Sequence, residues 1–145
     1  MPENRKRVYD MRRVVELLAD EESVLELRRA FGAGMVTALA RLEGRPIGVV
    51  ANDPGHLGGA IDADAADKAT RFLQLCESHR LPVVFLCDTP GFMVGPAAEE
   101  DGQVRRFGQF YVAGARLTVP FATVVVRKAV GLGAQAMAGG SFHAP

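Results

Sequence analysis

The sequence contains no tryptophan, only two cysteines and no excess of charge of either sign. Each absence narrows the field. Seventeen basic residues balance seventeen acidic ones, so no strong field favours nucleic acid, which is held largely through its phosphates. Arg5, Lys6, Arg7, Arg12 and Arg13 do gather near the start, where a solvated arm and helix face is the plain reading. Cys76 and Cys87 stand outside any CxxC pair, which suggests buried reduced thiols, not zinc ligands or a disulfide. His56, His79 and His143 form no HxH or HxxxH spacing, so no metal site is expected. No apolar run nears the roughly 20 residues that span a bilayer. Met1 is followed by Pro, Glu, Asn and Arg, unlike the apolar core of a signal peptide. A soluble, cytoplasmic protein is expected.

What is present reads as one α/β domain over residues 1–145, with 48% hydrophobic residues and enough length for a real core. Asp10 suits the cap of a short helix with Val14, Val15, Leu17 and Leu18 on its apolar side, ending near Asp20-Glu21-Glu22. Two strands, Met35 to Leu42 and Pro46 to Ala51, flank a tight turn at Glu43-Gly44-Arg45. Asn52 to Gly59 is a loop. A helix from about Asp64 to His79 carries Ala65, Ala69, Phe72, Leu73 and Cys76 at helical spacing. Val83 to Cys87 has no polar alternation and reads as a strand covered on both faces. Asp88 to Gly102 is a long loop before a helix from about Gln103 to Leu117, with Val104, Phe107 and Tyr111 on one stripe. Phe121 to Val126 reads as another fully apolar, buried strand. Gly131 and Gly133 then turn the chain into a helix from about Leu132 to Ala138. Alternating strands and helices argue for a layered α/β fold with parallel strands.

Two segments can carry chemistry. In Arg127-Lys128-Ala129-Val130-Gly131-Leu132-Gly133-Ala134 a strand ends, a glycine turn follows and a helix begins. The first helical N–H groups lack intrahelical acceptors and point outward with partial positive charge. They can hold a developing oxyanion, and losing one such donor typically costs roughly 3–4 kcal/mol of barrier. A plain tight turn is the bland reading. The second segment is Asp88-Thr89-Pro90-Gly91-Phe92-Met93-Val94-Gly95, just past the carboxyl end of a strand, where α/β folds bind ligands; its bland reading is a rigid Pro-Gly turn. A GTPase would need a P-loop with Lys followed by Ser or Thr, and the chain has none. Asp62 and Asp64 suit a helix start, and Asp67 an exposed face. Ser141 and His143 lie outside any G-x-S-x-G elbow.

Several stretches in order resemble one family. Gly44-Arg45-Pro46-Ile47-Gly48-Val49-Val50-Ala51-Asn52 looks like the hairpin of biotin-dependent acyl-CoA carboxyltransferases. Ala65-Ala66-Asp67-Lys68-Ala69-Thr70-Arg71-Phe72 and the later Asp88 to Gly95 stretch resemble that family's AADKAxRF and D-x-PGF-x-x-G motifs. Arg127-Lys128-Ala129-Val130-Gly131 resembles its RK-x-x-G turn, and Tyr9-Asp10-Met11-Arg12 the beginning of its C-terminal half. The likeness covers about Tyr9 to Pro145 and is carried by the order and spacing of the motifs together.

The resemblance implies a crotonase-like (ClpP/crotonase) layered fold with a mostly parallel sheet and flanking helices. It also implies transfer of a carboxyl group from carboxybiotin to the α-carbon of an acyl-CoA. This chain would be the biotin-side half of the carboxyltransferase (beta) subunit of the propionyl/acetyl/methylcrotonyl-CoA carboxylase family, shorter at its C-terminal end than the family. Carried over by position, the backbone oxyanion donors are Leu132 and Gly133, with Gly131 or Ala134 as the one-residue slip. Gly131, Ala134, Pro90, Gly91, Phe92 and Gly95 would shape the biotin pocket. Gln135 stands where the RKAYGGAYDVM run of the propionyl type has an Asp tied to acyl-chain choice. The implied cofactor is biotin on a partner carrier domain, with acyl-CoA as substrate and no metal. The implied partners are an N-terminal carboxyltransferase half and a biotin carboxylase/biotin carrier subunit, in a homo-oligomer with neither nucleic acid nor membrane. Alternatives are a biotin-dependent decarboxylase half, a non-catalytic assembly piece, and a stand-alone hydratase using Glu99 or Glu100.

Overall fold

The computed structural model describes residues 7–95 and 102–141, with only the main chain of Ser141. Arg5, Lys6, Glu99, Glu100 and His143 lie outside the described residues, so the readings placed on them have no structural counterpart.

Helix α1 (Met11–Leu18) begins as the sequence implies: Asp10 accepts from the Arg12 N–H at 2.9 Å. Its apolar side is different. Met11 and Val15 are buried, whereas Leu17 and Leu18 are exposed. A two-residue strand β1 (Leu25–Glu26), too short to leave a periodic signal, pairs antiparallel with β2 (Met35–Leu42). β2 and β3 (Arg45–Asn52) form a regular antiparallel hairpin in which Leu42 faces Arg45. The two-residue loop puts Glu43 at φ 51° and Gly44 at φ 78°, the doubly left-handed geometry that matches strand twist. Asp20 holds it by accepting from both loop amides, at 2.9 and 2.7 Å.

Helix α2 (Ala63–Ser78) starts on Asp62, whose carboxylate accepts from the Ala65 N–H at 2.8 Å. It crosses from β3 to β4 (Val83–Thr89), and α3 (Gln103–Ala115) crosses from β4 to β5 (Phe121–Ala129). Both crossovers join parallel neighbours, so the sheet order β1-β2-β3-β4-β5 combines an antiparallel hairpin side with a parallel side. A last short helix, α4 (Gly131–Ala136), follows β5. Strand alternation sorts the core into two layers. Val50, Phe85 and Cys87 face α2, α3 and α4, together with Phe72, Leu73 and Phe110. Val36, Val49, Ala51 and Leu86 face Met11 and Val15 of α1.

Two expectations are corrected here. β4 is covered on both faces as read, but β5 is not a buried strand. It forms the outer edge of the sheet among the described residues, with Val124 at 50% and Val125 at 57% exposure. An unbroken apolar run cannot tell an edge strand from a central one. Arg12 is likewise no solvated charge: its guanidinium is held by Glu26 at 2.9 Å and Asp53 at 2.6 Å, and those bonds raise its pKa. No helix among the described residues is long and apolar enough to cross a membrane.

At Gly48 the sheet lies close against Phe72 and Cys76 of α2. A Cβ there would stand 2.4 Å from Cys76 Sγ. Gly48→Ala is therefore expected to cost about 2 kcal/mol in urea unfolding, with part of the loss recovered by adding Cys76→Ala. Burial pushes the Cys76 thiol up to about 12 and the Cys87 thiol to about 11. The folded chain thus keeps both protons after the unfolded chain begins to release them. Thiol-linked stability should be intact at pH 8 and fall between pH 9 and about 12, and a Cys76→Ala/Cys87→Ala chain should lose less over that interval.

Candidate functional site

The carboxyl ends of β4 and β5 meet around one buried carboxylate. Asp88 is fully buried and accepts from the Tyr9 hydroxyl at 2.6 Å and from Arg127 Nε at 3.1 Å, both on Oδ2. Its Oδ1 accepts no hydrogen bond among the described residues and faces the Lys128 ammonium at 3.6 Å. The Asp88 N–H donates to Asn52 Oδ1 at 3.1 Å, tying the carboxylate to the end of β3. Arg127 also lies over the Tyr9 ring at 5.0 Å and donates to the Arg7 carbonyl at 3.0 Å. Lys128 donates to the Gly58 carbonyl at 2.6 Å. Burial, then the bond to Asp88, raises the Tyr9 pKa, so the phenol stays protonated.

Consecutive strand residues ordinarily point to opposite faces, yet Arg127 and Lys128 both reach Asp88. The register explains how. Cys87 is opposite Val125, whereas Thr89 is opposite Ala129, so β5 carries extra residues across from Asp88. Such a bulge re-aims side chains, and here it turns two successive cations onto one carboxylate.

Beyond this cluster the Asp88–Gly95 segment is pinned from three sides. Thr89 Oγ1 accepts from the Gly91 N–H at 3.1 Å and donates to the Gly91 carbonyl at 3.2 Å. Ile61 donates to the Gly91 carbonyl at 3.0 Å, and its own carbonyl accepts from Met93 at 2.9 Å. The Phe92 ring stacks on Phe107 of α3 at 4.3 Å.

The glycine turn rests on that segment. The Val130 N–H donates to the Thr89 carbonyl at 3.2 Å, and Gly131 takes φ 61°. Gly133 is buried against Gly91: a Cβ on Gly133 would lie 2.8 Å from the Gly91 Cα. Main chain meets main chain at this point, which only glycine allows. The Ala134 N–H already bonds the Val130 carbonyl at 3.4 Å. The amides of Gly131, Leu132 and Gly133 have no hydrogen-bond partner among the described residues.

Leu132 also lines a cavity of about 350 Å³, walled besides by Phe92, Met93, Val94, Gly95, Gln103, Val104, Phe107, Gly108 and Tyr111. It is almost wholly apolar, while Gln103 Oε1 is a buried acceptor without a partner among the described residues. Of the residues expected to shape a pocket, Phe92 and Gly95 line it. Gly91 lies beneath Gly133, and Pro90 and Gly131 are exposed. Gln135 is exposed, with its Oε1 3.3 Å from the Tyr111 hydroxyl. A larger polar groove of about 930 Å³, between α2 and α3, uses another face of α3 through Arg105, Arg106 and Arg116 and does not reach the amides. Sequence reasoning missed Tyr9, Asn52 and Arg127 as partners of Asp88. Each is a single polar residue without local periodicity, and long-range pairing alone unites them.

Comparison with known proteins decides the affiliation. Residues 1–144 match the Carboxyl transferase domain. The chain belongs to that family. Among its curated relatives are an uncharacterised carboxylase of Bacillus subtilis, 42% identical over 99% of this chain and 28% of that protein, and the propionyl-CoA carboxylase beta chain of Saccharopolyspora erythraea, 42% identical over 90% of this chain and 24% of that one. This carboxyl transferase chain thus spans about a quarter of the length of those relatives. Among solved structures, a single-chain, multi-domain long-chain acyl-CoA carboxylase superposes with a TM-score of 0.97 at 63% identity, over all of this chain and 14% of that one. The crotonase-like α/β layering implied by the motifs is the fold observed.

Removing the Asp88 charge would leave Arg127 and Lys128 facing a neutral, desolvated group. Asp88→Asn is expected to lower unfolding stability by about 3–5 kcal/mol. Tyr9→Phe, which removes one hydrogen bond, should cost about 1 kcal/mol. Urea midpoints at constant slope would measure both.

Proposed function

We propose that this chain is the biotin-side half of an acyl-CoA carboxyltransferase. The observation that carries this reading is a turn whose Gly131, Leu132 and Gly133 amides have no partner among the described residues and whose Leu132 lines an apolar cavity. An apolar bicyclic ring bearing one strongly accepting oxygen fits that combination of donors and walls. Carboxybiotin, when bound, supplies an activated carboxyl group whose departure leaves negative charge on the ureido oxygen.

The chain's own residues then have defined tasks. The Leu132 and Gly133 amides donate to that oxygen, and donors fixed in advance where charge develops lower the barrier with little reorganisation. Phe92 and the Leu132 side chain keep water from the donors, which strengthens them. The Asp88 cluster holds both segments at the distance the donors require. By the family resemblance, the acyl-CoA enolate would be held by an N-terminal carboxyltransferase half. A biotin carboxylase/biotin carrier subunit would deliver the carboxyl group, and the assembly would be a homo-oligomer in the cytoplasm. Residues 1–145 act as one domain in this reading. Gln135 in place of the propionyl-type Asp, and 63% identity to a long-chain acyl-CoA carboxylase, favour an acyl-CoA with a long chain.

Replacing Leu132 or Gly133 by its α-hydroxy acid turns the N–H into an ester oxygen without adding a Cβ. Gly133→Pro is the poorer tool, because its ring meets Gly91. In the assembled carboxyltransferase each ester is expected to lower kcat by about 100-fold with little change in KM. An unaltered kcat in both esters would remove the biotin-side assignment.

A further inference from the structure

Tyr111 has no assigned role in the transfer. It stands on α3 one turn after Phe107, with its ring in the cavity wall 6.1 Å from the ring of Phe92. Its hydroxyl donates to the Leu132 carbonyl and lies 3.3 Å from Gln135 Oε1. The Leu132 carbonyl and the Gly133 N–H are opposite ends of one planar peptide unit. A donor that pins the oxygen therefore fixes the direction of the N–H. It also polarises the unit, so the N–H becomes a stronger donor.

We propose that Tyr111 is a positioning residue for the biotin-side site, setting the aim and strength of the Gly133 N–H through the Leu132 carbonyl. The proposal rests on the biotin-side reading above, since it assigns Tyr111 a task only if Gly133 donates. Three features of the structure support it. The contact bridges α3 and α4, two elements joined in sequence only through β5. Gly91 backs the other side of Gly133 and offers it no donor or acceptor, so the hydroxyl is the one side-chain hydrogen bond that orients this peptide among the described residues. Burial raises the Tyr111 pKa, which keeps the proton on the hydroxyl across the neutral range.

Tyr111→Phe removes the hydroxyl and keeps the ring. In the assembled enzyme, the reverse reaction can be followed with free biotin as acceptor and a carboxylated acyl-CoA that the wild type turns over. The expected result is a fall in kcat of about tenfold, with KM for biotin changed less than twofold. A second readout is independent of turnover. In the 15N-labelled 145-residue chain, the Gly133 amide proton should move upfield in Tyr111→Phe, and its shift on adding biotin should shrink. Site-specific 3-fluorotyrosine at 111, a stronger donor in the same space, should move that proton downfield, which keeps the test available if Tyr111→Phe folds poorly.

A raised KM with unchanged kcat would make Tyr111 a mere pocket wall and overturn the proposal. So would a Gly133 proton that ignores both changes. If the Gly133 ester slows transfer while Tyr111→Phe does not, the positioning role alone is lost. If the ester itself has no effect, the biotin-side reading fails and Tyr111 goes with it.

Discussion

The architecture of the site depends on one desolvated carboxylate. Asp88 is the point where the end of β3, the turn at Gly58, the residues before α1 and the end of β5 are joined, through Asn52, Lys128, Tyr9 and Arg127. Charge balance explains why the arrangement is specific. A buried carboxylate is costly unless it is paired, and two cations from the same strand can reach it only through a bulge. That bulge shapes the last residues of β5 before Val130 turns away. Ion pairing, strand register and the place of the glycine turn are therefore one constraint.

The second element is steric. With β5 held by Asp88, the turn comes to rest on Gly91, and the two main chains approach too closely for any Cβ at Gly133. The Asp88 and glycine-turn segments are separated by about forty residues of sequence, yet each is shaped to the other. Their contact leaves three amides without partners among the described residues, at a turn whose Leu132 lines an apolar cavity. At this helix start Gly131 and Leu132 are exposed and Gly133 is buried. First-turn N–H groups have no intrahelical acceptor, so they stay open to an accepting ligand atom.

Much of this was legible in the sequence, for identifiable reasons. The caps at Asp10 and Asp62 are local and follow from residue type. The two-residue hairpin needs only Glu43 and Gly44 between matching strands. α2 shows because its core residues recur at helical spacing. β5 is where the pattern misleads, because Phe121 to Val126 is as apolar as a central strand while its outer edge is unpaired among the described residues. β1 is two residues long and leaves no period. Arg12 reads as one of a surface cluster until folding brings Glu26 and Asp53 to it. In the site, the glycine turn and the Pro-Gly segment were visible as motifs. The Asp88 cluster was not, because its members are single residues with 36 to 79 positions between partners.

Main-chain donors, as proposed for the biotin-side site, would tolerate departures from the propionyl-type motif. Leu132 stands where that motif has glycine, but a side chain added at an exposed helix start leaves the N–H in place. The added leucine becomes part of the cavity wall. At 133 that motif has alanine, whereas here Gly133 lies against Gly91 so closely that a Cβ would stand 2.8 Å from the Gly91 Cα. Gln135 replaces an acid next to the Tyr111 hydroxyl, and this change has an electrostatic consequence. A carboxylate at 135 would compete for the hydroxyl proton more strongly than a neutral amide oxygen, since hydrogen bonds to ionised acceptors are roughly twice as strong. With glutamine, the proton remains with the Leu132 carbonyl. The same substitution that alters the rim of the site thereby leaves Tyr111 committed to the peptide it holds.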